Sequence, residues 1–146
     1  VANRLALVFA IAAFMTVLLM LIVQMTVRTQ EPTITEGLEK PIAASMMFGL
    51  RMIDIGLDVA WDMLLGTSLL FLGFAVRPCK GFGVGWTIIA AVMGLGMIGF
   101  NAGTFPIPPA DAGLFDIGPI VGAFALVVTI RYLVLIYRMP NTEPLS

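Results

Sequence analysis

The stretch Arg51–Asp62, RMIDIGLDVAWD, sets one arginine and three aspartates into an otherwise apolar part of the chain. At about 100° per residue, Arg51, Asp54, Asp58 and Asp62 fall on one helical face. Carboxylates stacked in this way can take up and release a proton, or hold a cation through oxygen ligands. Arg51 and Asp54, three residues apart, are spaced to form an ion pair. Asn101, Asp111 and Asp116 are the further polar side chains that a folded chain could bring to Asp58 and Asp62. These five form the candidate proton or cation site. The plainer reading is a solvated acidic face whose deepest member is satisfied by Asn101 or a backbone amide. The spacing matches no calcium-loop signature.

The elements that must position these groups are hydrophobic helices. The chain has 146 residues, of which 60% are hydrophobic and 12% charged. Soluble domains are about a quarter charged. The composition is therefore that of an integral membrane protein, in a length that suits one domain. A net charge of −1 leaves no basic surface for nucleic acid. There is no histidine, which removes the commonest metal ligand and general base. The single cysteine, Cys79, excludes an intramolecular disulfide and a C-x-x-C motif. It reads as an incidental thiol. No catalytic, metal or cofactor motif stands out.

Four segments are long enough to cross a bilayer core, which takes about 20 apolar residues. They are residues 5–27, 59–76, 84–100 and 117–136. The first lies between Arg4 and Arg28. It is longer than a signal-peptide core and lacks a small-residue cleavage site, so it is expected to be retained. Thr29–Pro41 carries Glu31, Glu36 and Glu39 with Pro32 and Gly37, and reads as an external loop. Ile42–Leu57 is apolar but interrupted by Arg51 and Asp54. It is expected to be an interfacial helix or an extension of the second span. Pro106, Pro108 and Pro109 forbid a regular helix between the third and fourth spans. Asp116 is placed to cap the fourth, with Pro119 in its first turn. Arg131 is near the far end, where it can snorkel to the interface.

Lysine and arginine placement sets the expected orientation. With four spans, Arg4, Arg77, Lys80, Arg131 and Arg138 fall on one side, and Arg28, Lys40 and Arg51 on the other. Both termini are then cytoplasmic. Depth follows from about 1.5 Å per residue. Counting from Arg77, Asp62 lies about 22 Å up and Asp58 about 28 Å, in a core of about 30 Å. Counting from Trp86, Asn101 reaches the level of Asp62, which makes it the expected hydrogen-bond partner. Arg51 and Asp54 then lie outside the membrane. Gly81/Gly85, Gly99/Gly103 and Gly118/Gly122, each four apart, offer close helix approach. They are expected to serve internal packing, with self-association or another membrane subunit as the alternative.

The segments GLDVAWD (Gly56–Asp62) and TFPIPPADAGLFDIGP (Thr104–Pro119) resemble those of a group of small, uncharacterised bacterial four-helix membrane proteins. These have a G-L-D-x-A-W-D approach to helix 2 and an N-x-x-T-F-P-x-P-P-A-x-A-G-L-x-D-x-G-P loop, which here starts at Asn101. The resemblance covers helices 2 to 4. It implies a bacterial source, hence the cytoplasmic membrane, and an all-α four-helix bundle. It transfers no functional residue.

Three expectations for function follow. The leading one is a non-enzymatic accessory or structural membrane component in contact with the lipid bilayer and other subunits. The second is a small transporter or channel component that uses Asp62 as a coupling carboxylate. Small multidrug exporters have four helices too, but their essential acid lies in helix 1, and helix 1 here has none. The third is a metal-dependent membrane enzyme built on the external aspartates.

Overall fold

The computed structural model describes residues 1–79, 81–109, 111–115 and 117–138. It does not describe the side chains of Ile136 and Arg138. Lys80, Asp116 and the tail from Met139 lie outside the described residues, so the cap expected of Asp116 does too.

Four helices follow one another: α1 (Ala2–Gly37), α2 (Lys40–Val76), α3 (Gly83–Thr104) and α4 (Gly118–Arg138). All four are long and apolar enough to cross a bilayer. The described residues hold no strand. Side chains facing away from neighbouring helices are overwhelmingly apolar: Leu7, Ile11, Phe14 and Ile22 on α1, and Ile88, Val92 and Leu95 on α3, are more than half exposed. Such a surface suits lipid and not water.

Neighbouring helices run antiparallel. Ser68 Oγ donates to the Ala6 carbonyl (3.0 Å), and Gln24 Nε2 donates to Asp54 Oδ1 (3.0 Å), so α1 and α2 pair along their length. Phe9 stacks on Phe71 about one turn along each helix from the Ser68–Ala6 contact. Small residues let the pair close: Ala6 and Ala13 are the buried residues of α1, seven apart on one face. The α2–α3 contact is tighter still. A Cβ built on Gly66 would sit 2.8 Å from the Gly94 carbonyl oxygen, and one on Gly73 would sit 2.9 Å from Ala90 Cβ. Thr87 Oγ1 donates to the Gly73 carbonyl (2.8 Å) at the same crossing. Leu69 of α2, Met97 of α3 and Val121 of α4 form the central core.

Two expectations are corrected here. The loop expected over Thr29–Pro41 shrinks to Leu38 and Glu39, because α1 runs through Pro32 to Gly37 and α2 begins at Lys40. Pro32 lacks the N–H that would bond the Arg28 carbonyl, but both residues are exposed, where the freed oxygen meets water at little cost. Pro41 stands in the first turn of α2, where no donor is needed. Ile42–Leu57 is accordingly the projecting half of α2. At 1.5 Å per residue α2 is about 55 Å long, against about 33 Å for α3. The α1–α2 hairpin therefore overtops the rest of the bundle.

The second correction concerns the glycine pairs. A Cβ on Gly85, Gly99, Gly103 or Gly122 would meet nothing within 4 Å. These four do not serve internal packing, whereas a Cβ on Gly81 would sit 3.2 Å from Leu135; the close helix approaches are made by Gly66, Gly73 and Gly94.

The two ends of the bundle differ. At the end that carries the α2–α3 turn, Phe82, Val76 and Val128 close a second core. Trp86 packs edge-on to Phe82 and stacks on Phe124. The Arg131 guanidinium lies 5.2 Å from the Trp86 ring centre and 5.6 Å from that of Phe82. Its Nε (2.8 Å) and Nη2 donate to the Gly81 carbonyl. Arg131 thus clasps the turn, beyond the snorkelling expected of it. The opposite end carries the hairpin turn and the segment 105–117, which is turn and loop where described, as its prolines require.

Candidate functional site

Asp62 sits in the middle of α2, where the helix passes beneath the 105–117 loop. It is buried, at 8% exposure, and Asn101 of α3 is buried at 1%. Asn101 Nδ2 donates to Asp62 Oδ2 at 2.9 Å and to the Met97 carbonyl at 3.0 Å. The depth count thus placed the two side chains at a common level, and the antiparallel α2–α3 crossing turns them toward each other. The amide has used both N–H groups. Its Oδ1 is buried and has no hydrogen-bond partner among the described residues. A carbonyl oxygen left in this state costs about 1–3 kcal/mol unless water or a ligand donates to it.

Asp62 also lines a cavity of about 400 Å³. Asp58 and Trp61 share its α2 wall; Pro108 and Pro109 of the loop and Pro119 of α4 close it. Asp58, half-buried, borders a second cavity of about 310 Å³ with Asp54, Arg51, Gln24, Pro108 and Asp111. Gln24, Arg51 and Asp54 in turn border a groove of about 600 Å³ between α1 and α2. The three spaces share lining residues in sequence. A polar route thus steps from the exposed groove past Asp54 and Asp58 to Asp62, following the helical stripe.

Below Asp62 the route stops. Leu65, Leu69, Met97 and Val121 pack together there. A further cavity of about 380 Å³ lies toward the other end, between α1, α2 and α4, with Asn3, Cys79, Thr129 and Tyr132 in its wall and no carboxylate.

The remaining candidates divide. Asp111 is exposed and lies 4.0 Å from Arg51 Nη2, with both side chains at least half exposed. Among the described residues Arg51 therefore meets Asp111 across the loop, not the Asp54 expected from helical spacing. Asp54 is half-buried and accepts from Gln24. Asp116 lies outside the described residues. Among the described residues no three histidine, cysteine, aspartate or glutamate side chains are grouped as a metal set would require.

Sequence reasoning missed Gln24. A lone amide in the first span reads as unremarkable, and only its register against Asp54 gives it a role. Compared with protein-family models, with curated proteins and with solved structures, the chain matches none of them.

Proposed function

We propose that this chain is a small multi-pass protein of a bacterial cytoplasmic membrane, with both termini inside, that takes up a proton or small cation at Asp62 from the outer side. The observation that favours this over a purely structural role is the buried Asp62–Asn101 pair at the foot of a polar route. An intramembrane carboxylate is costly unless it is paired, hydrated or protonated. A chain that needed only to fill a bilayer would lose nothing by carrying leucine there. Asp58 and Asp54 line the approach and would concentrate cations along it. The packed Leu65, Leu69, Met97 and Val121 separate this route from the far side, as a gated pathway requires.

The orientation is supported by the excess of lysine and arginine at the termini side. Cys79, exposed and the single cysteine, reports it directly. A membrane-impermeant maleimide added to intact cells should leave Cys79 unlabelled until the membrane is opened; labelling beforehand would reverse the orientation.

The transport reading is tested in proteoliposomes that contain a pH-sensitive dye and carry a potassium diffusion potential. Wild type should acidify the lumen faster than empty vesicles, and Asp62→Asn should return the rate to the empty-vesicle level. Equal rates for wild type and Asp62→Asn overturn it.

A second reading, an accessory subunit, has its own support. Gly85, Val92 and Gly99 recur every seven residues on α3, and Gly103 lies one turn further. Among the described residues no side chain comes within 4 Å of a Cβ built on Gly85, Gly99 or Gly103. Another membrane helix, from a second copy or a different subunit, would fit there. Gly99→Leu should abolish any oligomer seen by crosslinking in native membranes. An unchanged crosslinking pattern would remove this reading.

A further inference from the structure

We infer that the groove between α1 and α2 at the loop end seats the headgroup of a zwitterionic phospholipid of the phosphoethanolamine class. The inference needs only that the four helices cross a bilayer; it does not depend on transport at Asp62.

Height is the first argument. The uncharged run of α1 ends at Val27, and Arg28 follows. Gln24 lies across from Asp54, so one helical turn further out Arg28 and Arg51 stand at about the same level on the two helices. That level is where hydrocarbon gives way to headgroups.

The lining is the second. Arg28 and Arg51 both border the groove, together with the Asp54 carboxylate, which Gln24 holds in place. Val27, Met47, Phe48 and Leu50 complete the wall. A phosphodiester carries one negative charge and matches guanidinium N–H donors. The primary ammonium of the headgroup needs an acceptor, and Asp54 is the acidic residue in the wall. The apolar residues face the first carbons of an acyl chain. Phe48, 67% exposed, is otherwise left bare. A headgroup without an ammonium would satisfy the guanidinium groups but leave the Asp54 carboxylate with no cation of its own.

Availability is the third. The Arg51 side chain is 74% exposed, and its contact with Asp111 is 4.0 Å long. An exposed pair at that distance contributes little and yields readily to a phosphate. At about 600 Å³ the groove has room for a headgroup and part of its glycerol.

The test is native mass spectrometry of the full chain, delipidated in mild detergent and titrated with dioleoyl phosphatidylethanolamine or dioleoyl phosphatidylglycerol. Wild type should hold one phosphatidylethanolamine in preference to phosphatidylglycerol. Arg28→Ala/Arg51→Ala should bind it about tenfold more weakly. Asp54→Asn should erase the preference between the two lipids. Arg77→Ala, at the opposite end of α2, should behave as wild type. Equal retention by wild type and the double variant overturns the inference. So does equal loss in Arg77→Ala, or a wild-type preference for phosphatidylglycerol.

Discussion

The two ends of this bundle answer the same problem in opposite ways. Each must close the bundle where apolar surface meets water. At the α2–α3 turn, Phe82, Trp86 and Phe124 stack against one another, and Arg131 covers the rings while bonding the Gly81 carbonyl. Aromatic area and one cation close that end. At the other end, α4 starts beside Asp62 while α1 and α2 continue past it, and a proline-rich loop bridges the step. A loop stiffened by Pro108 and Pro109 cannot fill the step, so cavities remain, and carboxylates line them. The cavity toward the aromatic end has no carboxylate in its wall, whereas those at the loop end are lined by Asp54, Asp58, Asp62 and Asp111.

This contrast fails if the aromatic end proves dispensable. Trp86→Ala removes a half-buried ring from three partners and should cost about 3 kcal/mol, read as a lowered midpoint for unfolding by sodium dodecyl sulfate. A change within error would mean that the aromatic cluster does not hold that end together.

The next effect belongs to the wet end. Asn101→Leu leaves Asp62 without the amide that donates to it and should cost about 2 kcal/mol in the same assay. The double variant Asp62→Leu/Asn101→Leu should recover most of that loss, because it removes the buried amide and the carboxylate it serves together. Failure to recover would show that Asp62 contributes to the fold itself, and the contrast between the ends would blur. Arg131→Ala should cost about 1 kcal/mol, from the loss of its ring contacts and its bonds to Gly81. Arg131→Gln should restore only part of this, since it keeps a donor but no charge. Smallest of all, Asp111→Ala should change stability by under about 0.5 kcal/mol, as expected for an exposed pair. A larger loss would mean that Arg51–Asp111 pins the loop and that the route to Asp62 is less open than its cavities imply.

Much of this was legible beforehand. Hydrophobic run length located four helices, because the solvent they must match has a fixed thickness. Counting residues from the charged ends placed Asp62 and Asn101 at one depth, because helical rise is constant. The all-α architecture and the single deep carboxylate therefore follow from the linear sequence.

Tertiary structure decided the rest. Thr29–Gly37 has a loop's composition, with Pro32 and two of the glutamates, yet it is helical because α2 rises alongside it. Helix formation there depends on a partner that composition does not reveal. The depth count used α2 alone and could not show that pairing with α1 brings Gln24 to Asp54. Gly85, Gly99, Gly103 and Gly122 do not make the packing contacts expected of them, because a spacing of four fixes neither rotation nor partner. The packing glycines, Gly66 against Gly94, lie on different helices. A sequence fixes what each helix can offer, and only the crossing of two helices decides which face meets which.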